Sequence, residues 1–399
     1  MKEIYLVFLI ILSSVLLLLY GVSSLSISYN EAHILYDGKS LVHYLASIST
    51  QIFGNTDFAL RLPFMLLHVI SLVLLYKIGK LILKRKLDRV ISISLYAMLP
   101  GVNSAAILVN GAYIVIFFTL LFVYLYMYGY KKSSFLVLFL ALFADNSFAI
   151  LYLSLFFYSI FKKEKQLLLI SVILFSTSFY SYGFDTGGKP RGYFLDTLGV
   201  YSAVFSLLLF LYVIYVLYRI LIKEEKNLLW YISFCALVIS LILSLRQKLL
   251  LEDFAPFVVI SIPLVVKVFF NSYRVRLPIH RKYHNITFSI VFGFLFINLV
   301  VSYFNKPLYY LVKEPDDHIA YKYHIAKDLA HILKTKNITD INMRDKRLAL
   351  RLKFYGITEG NGNYNLSHSS FKIENYEKID IIYVGKTVES FYLYKKEKS

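Results

Sequence analysis

The chain has 399 residues, 58% of them hydrophobic and 17% charged, with a mean hydropathy of +0.61. A water-soluble domain this apolar could not cover its own surface, so the composition excludes one. The single cysteine, Cys235, excludes an intramolecular disulfide and a cysteine-rich metal site.

Apolar runs of about 17–25 residues are long enough to cross the hydrocarbon as helices, and they lack the alternation of a barrel strand. About eleven spans are expected, near 4–24, 62–83, 90–108, 111–130, 134–145, 147–161, 167–182, 198–218, 227–245, 254–270 and 286–304. The first begins Met1-Lys2 and is apolar like a signal peptide, but no Ala-x-Ala-like site follows it, so it reads as an anchor. The fifth and sixth runs are short, and Asp145-Asn146 between them suggests a helical hairpin with its tip near the outer surface. These runs predict a polytopic α-helical membrane protein.

Basic residues orient it. With the N-terminus inside, inner segments hold Lys84-Arg85-Lys86, Lys131-Lys132, Lys162-Lys163 and Arg274, Arg276, Arg281 and Lys282. Only Lys39, Arg61, Lys189, Arg191, Arg246 and Lys248 fall outside within residues 1–304, as the positive-inside rule requires. The net charge of +18 is thereby explained by topology and contact with anionic lipid, not by nucleic-acid binding. Acids run the other way: Glu31, Asp37, Asp57, Asp145, Asp185, Asp196, Glu252 and Asp253 lie outside. Glu31, Asp145 and the Glu252-Asp253 pair stand at span ends, where a carboxylate is costly, so any chemistry faces outward.

Residues 1–304 read as a membrane domain and 305–399 as a small α/β domain on the outer side. In the latter, His318–Lys336 reads as an amphipathic helix after Pro315-Asp316-Asp317. Asp340–Met343 and Ile379–Val384 read as strands, with a helix over Arg344–Tyr355.

The first outer loop, residues 25–61, carries the densest signal: Asn30-Glu31-Ala32-His33, Gly38-Lys39-Ser40-Leu41, Gly54 and Arg61-Leu62-Pro63. Arg246-Gln247-Lys248, followed by Phe254-Ala255-Pro256 and Pro263, forms a second basic, aromatic and proline-bearing loop. Together these motifs resemble the membrane glycosyltransferases of the GT-C fold, in the bacterial branch related to protein O-mannosyltransferases and the lipid A aminoarabinose transferase.

The resemblance implies a GT-C-like fold and transfer of a sugar from a polyprenyl-phosphate carrier to a lipid, glycan or protein acceptor. The reaction would take place at the outer face of a bacterial inner membrane, with the N-terminus cytoplasmic and the C-terminus periplasmic. A carboxylate would take the acceptor's proton, and cations would neutralise the departing phosphate. Glu31 or Asp37 is the expected base. Asn30, Lys39, Arg61, Lys189, Arg191, Arg246 and Lys248 are the expected contacts to substrate and phosphate. A divalent metal ion is the cofactor the resemblance allows, with Glu31 as its ligand. The chain departs from the family at Asn30, which replaces the usual catalytic acid, and at Asn110-Gly111, where a further aspartate would stand. Two other readings compete: a transporter or flippase for a lipid-linked sugar, and an inactive scaffold of the same fold.

Overall fold

A computed structural model describes residues 3–183, 192–360, 364–368 and 376–395. The chain divides into two compact units, one of residues 1–18 and 64–299, the other of residues 19–63 and 300–399.

The first unit is helical. Among the described residues, Glu3–Ser24, Asp57–Ile82, Ala255–Val275 and Pro278–Tyr303 are each long and apolar enough to cross a membrane; the first two and the last continue into the second unit. The Glu3–Ser24 helix exposes Ile4, Phe8, Leu9, Leu12 and Leu16, a face only lipid or another apolar surface can cover. The protein is thus a multi-pass membrane protein.

Two of the expected spans bend, which brings the long apolar helices to six if each bent pair counts once. The run over 90–108 breaks by 58° between Lys86–Met98 and Pro100–Ile107. Pro100 has no N–H for the helix ladder, and it forces Leu99 before it into an extended conformation. The run over 198–218 breaks by 105° at Ser206, whose φ of 74° is left-handed. The helices Ala112–Met127, Phe148–Lys162 and Leu228–Ser244 are shorter than a full crossing. Hydropathy therefore counts apolar runs, and the structure turns several of them into bent or short helices. Asp145-Asn146 lies between the helices Lys131–Ala141 and Phe148–Lys162, where the sequence expects a hairpin tip.

Polar groups inside this unit are paired. Ser14 Oγ lies 2.7 Å from His68 Nε2, and His68 Nδ1 lies 2.7 Å from the Tyr113 hydroxyl, a buried chain joining three helices. Ion pairs Glu3–Arg89 and Asp88–Arg274 tie helix ends that the sequence assigns to the inner face.

The second unit is α/β. Its strands are β1 (Asp340–Met343), β2 (Thr358–Glu359), β3 (Tyr364–Ser367), β4 (Glu377–Tyr383) and β5 (Lys386–Lys395), ordered β2-β1-β3-β5-β4. β1 pairs in parallel with β2 and β3, while β5 runs antiparallel to β3 and β4. The β4–β5 turn is Val384-Gly385, both at positive φ, the primed geometry that matches strand twist. Ile379, Ile381, Val388, Phe391 and Leu393 alternate toward one buried face. Leu329 and Leu333 of the Ala326–Thr335 helix and Leu348 and Leu352 of the Lys346–Phe354 helix complete that core. The helix expected over His318–Lys336 is shorter, because two single 3-10 turns fill Pro315–Asp317 and Tyr321–Tyr323. The other elements expected there fall within a few residues of their places.

Candidate active site

The loop of residues 25–61 lies in the second unit and is built from two capped helices. Ser28 starts Tyr29–Asp37: its hydroxyl accepts from Glu31 N at 3.2 Å, and Glu31 Oε2 accepts from Ser28 N at 2.8 Å. This is a capping box, which satisfies two amide donors that a helix start otherwise leaves open. Ser40 caps the next helix, Leu41–Phe53, and Gly54, at φ 82°, follows its end.

Glu31 is buried, and its carboxylate also accepts from Arg61, which donates through Nε to Oε1 at 3.4 Å and through a terminal nitrogen to Oε2 at 3.2 Å. Arg61 has no exposed surface and also donates to the Leu25 and Ser26 carbonyls at 3.1 and 3.0 Å. Glu31, expected as base or metal ligand, and Arg61, expected as a phosphate contact, are thus engaged with each other. Their pairing holds the loop.

A second arginine grips the same segment. Arg351 donates to the Ile27 carbonyl at 2.8 Å and to Ser26 Oγ at 3.2 Å. The Tyr355 hydroxyl accepts from Ile27 N at 2.9 Å and donates to Asp57 at 2.7 Å. The sequence reading missed Arg351 and Tyr355, since nothing local links residues 351–355 to residues 25–28.

The other loop candidates stay on the surface. Asn30, Asp37 and Lys39 are exposed, with His33 4.0 Å from Asp37. Among the described residues, no three His, Cys, Asp or Glu side chains converge as a metal cage. Glu31, the expected metal ligand, is engaged by the Ser28 amide and by Arg61. Lys189 and Arg191 lie outside the described residues, as does Asp185.

The first unit gathers acids that the sequence puts at span ends. Asp145 Oδ1 accepts from Ser147 N at 2.9 Å and from the Ser147 hydroxyl, and that hydroxyl also lies 3.2 Å from Asp253 Oδ1. Burial, then the neighbouring Asp145, pushes the Asp253 carboxyl up to about 6. A Cβ on Gly111 would meet Asp145 Oδ2 at 2.7 Å, so the Asp145 carboxylate rests directly against Gly111.

Beside this cluster opens a cleft of about 270 Å³. Ile150, Leu153, Phe175 and Phe179 form its apolar wall, and Ser147, Gln247, Lys248 and Asp253 its polar side. Lys248 is thus brought to the cleft that Asp253 lines, while Arg246 is exposed at the turn that ends Leu228–Ser244. Glu252, one residue from Asp253, lines a separate cleft with Asn110 and Pro256. Ser147 is not singled out by the sequence; its place two residues after Asp145, an Asx-turn spacing, is the available signal.

The chain combines long and broken apolar helices, a capped loop over residues 25–61 and a terminal α/β unit. Residues 40–180 match the sequence profile of the dolichyl-phosphate-mannose-protein mannosyltransferase family. The fold is similar to the crystal structure of ArnT from Cupriavidus metallidurans bound to undecaprenyl phosphate, with a TM-score of 0.56 and 9% identity over 97% of each chain. No curated protein sequence matches the chain. The chain is therefore similar to that mannosyltransferase family in sequence over residues 40–180, and to ArnT in fold over most of its length.

Proposed function

We propose that this protein transfers a sugar from a polyprenyl-phosphate carrier to an acceptor at the outer face of a bacterial inner membrane. The observation that carries the reading is the cleft of the first unit, in which an apolar wall meets Lys248, Ser147 and Asp253. A lipid phosphate needs that combination: a chain that stays in an apolar setting and an anion that meets a cation.

The chemistry follows from the charges. The acceptor oxygen attacks the anomeric carbon, the bond from that carbon to the phosphate oxygen breaks, and the carrier phosphate departs with both electrons. Lys248 neutralises the anion that leaves. Asp253 takes the acceptor's proton, since a carboxyl near 6 is charged at neutral pH yet basic enough to help. Asp145 holds Ser147 and raises Asp253. Its carboxylate against Gly111 also restores an acid where Asn110-Gly111 replaces the family aspartate. Attack opposite the leaving phosphate inverts the anomeric centre. Support comes from the profile match and from a similar fold crystallised with undecaprenyl phosphate.

The test uses purified protein in liposomes with labelled polyprenyl-phosphate sugars and membrane-extract acceptors. Label should move from carrier to acceptor. Label that stays on every carrier, with the protein folded, would sink the proposal. The pH profile adds a second check. Asp253 is protonated below its raised pKa, so the rate should fall as pH drops through about 6 and level off above ~7.

One observation favours a second reading. Bent helix pairs at residues 86–107 and 194–223 resemble the discontinuous helices of transporters. A flippase would move the intact lipid-linked sugar across the bilayer and leave the glycosyl-phosphate bond whole, and the same liposomes distinguish the two.

Orientation gives an independent expectation. Reporter fusions at Lys84, Lys163 and Arg276 should read as cytoplasmic, and fusions after Asn305 as periplasmic. A cytoplasmic reading after Asn305 would put the α/β unit on the inner side.

A further inference from the structure

We infer that the second unit carries a binding site for an anionic membrane phospholipid, separate from the cleft assigned to chemistry. The site is a cleft of about 590 Å³ within that unit. One wall is the Ala326–Thr335 helix, whose Lys327, His331 and Lys334, at i, i+4 and i+7, share a face. The opposite wall is apolar: Leu19 and Val22 near the end of the Glu3–Ser24 helix, and Phe58 at the start of Asp57–Ile82. Leu19 and Phe58 are both exposed there.

The placement fixes the setting. One spanning helix ends and the next begins at this cleft, so both helix ends belong to the same membrane surface. The end of a third, Pro278–Tyr303, adjoins them, since the Tyr20 and Phe304 rings lie 4.7 Å apart. Cationic side chains therefore stand where headgroups lie, above apolar residues at acyl-chain depth.

Charge decides the class of lipid. Lys327 is held by Asp57 at 3.0 Å and by the Ser23 carbonyl at 2.9 Å, which fixes its ammonium and offsets one charge. Asp57 is itself engaged by Tyr355. Lys334 is exposed and adds a positive charge that no acid lining this cleft balances, as Asp57 is the one carboxylate along it among the described residues, and the exposed His331 imidazole beside it offers a further hydrogen-bond donor. A phosphate diester without a choline or ethanolamine cation meets that surplus, and a zwitterionic headgroup brings its own cation into it. The apolar wall selects a lipid over free phosphate.

The full chain in detergent can be titrated with dioctanoyl phosphatidylglycerol, dioctanoyl phosphatidylcholine and inorganic phosphate, with adducts read by native mass spectrometry. Phosphatidylglycerol should bind about tenfold or more tightly than phosphatidylcholine. The pair of changes His331→Gln and Lys334→Gln should remove that preference, while His331→Lys with Lys334→Arg should keep it. Lys378→Gln, on an exposed strand with Asp380 as its partner, should change nothing. Equal binding of both lipids, or undiminished preference in the glutamine pair, would overturn the inference. So would displacement of the lipid by millimolar inorganic phosphate, since the site would then belong to the free anion.

Discussion

Arg61→Met is expected to destabilise the second unit more than any other single change within residues 25–61, by about 3–5 kcal/mol. The substitution keeps much of the side chain's volume and deletes its charge. Glu31 would remain buried, with its carboxylate missing the guanidinium that faces both of its oxygens. The Leu25 and Ser26 carbonyls would lose their donors as well. Glu31→Gln leaves the mirror-image fault, a covered guanidinium beside a neutral amide, although the glutamine oxygen can still accept from Ser28 N. The two faults share one cause, so the double change should cost clearly less than the sum of the singles. Thermal unfolding of the four proteins in one detergent measures this coupling. The same proteins separate two roles for Glu31. A positioning residue loses activity in step with folding, and the double change recovers part of both. If Glu31→Gln melted like the parent yet lost transfer about a hundredfold, Glu31 would be the base after all.

How far the sequence can be read depends on whether a signal is local. The S-x-x-E pattern at Ser28–Glu31 is a local capping signature, and the burial of its glutamate follows from it. Treating Glu31 only as a loop acid passes over that box. Membrane character and the strands of residues 340–343 and 377–383 are legible because apolar runs and alternation need no partner to be recognised. The count of about eleven spans is less so, because summed hydropathy does not register the break at Pro100 or Ser206 in a left-handed conformation. The site stays hidden for a further reason. Arg351 meets Ile27, and Ser147 meets Asp253, across more than a hundred residues, and no spacing rule reaches that far. The acids at span ends, Asp145 and Asp253, come closest, because the cost of a charge at membrane depth is a property of position alone.

Asp253→Asn is expected to lower sugar transfer about a hundredfold or more, since a positioned base contributes about 10²–10⁴ in rate. Asparagine keeps the shape and can still accept from Ser147, now 3.2 Å from Oδ1, so the change isolates the proton-taking role. Stability should move the other way. The folded chain holds the Asp253 proton up to about pH 6, well above an ordinary aspartate, so the stability linked to this group is fully present below pH ~4. That contribution is lost as pH rises through about 6, and near pH ~7 the charged carboxylate beside Asp145 is a net cost. Asparagine removes the cost. A gain of about 1–2 kcal/mol is expected at pH ~7, allowing for partial exposure, and it should shrink toward pH ~4. Transfer assays in liposomes and melting curves at the two pH values check both halves. An inert structural acid would give unchanged transfer with the same gain in stability. That result would move the base from Asp253 to the exposed Asp37 of the first loop. A loss of transfer accompanied by a lower melting point would instead mean that Asp253 holds the turn beside its cleft.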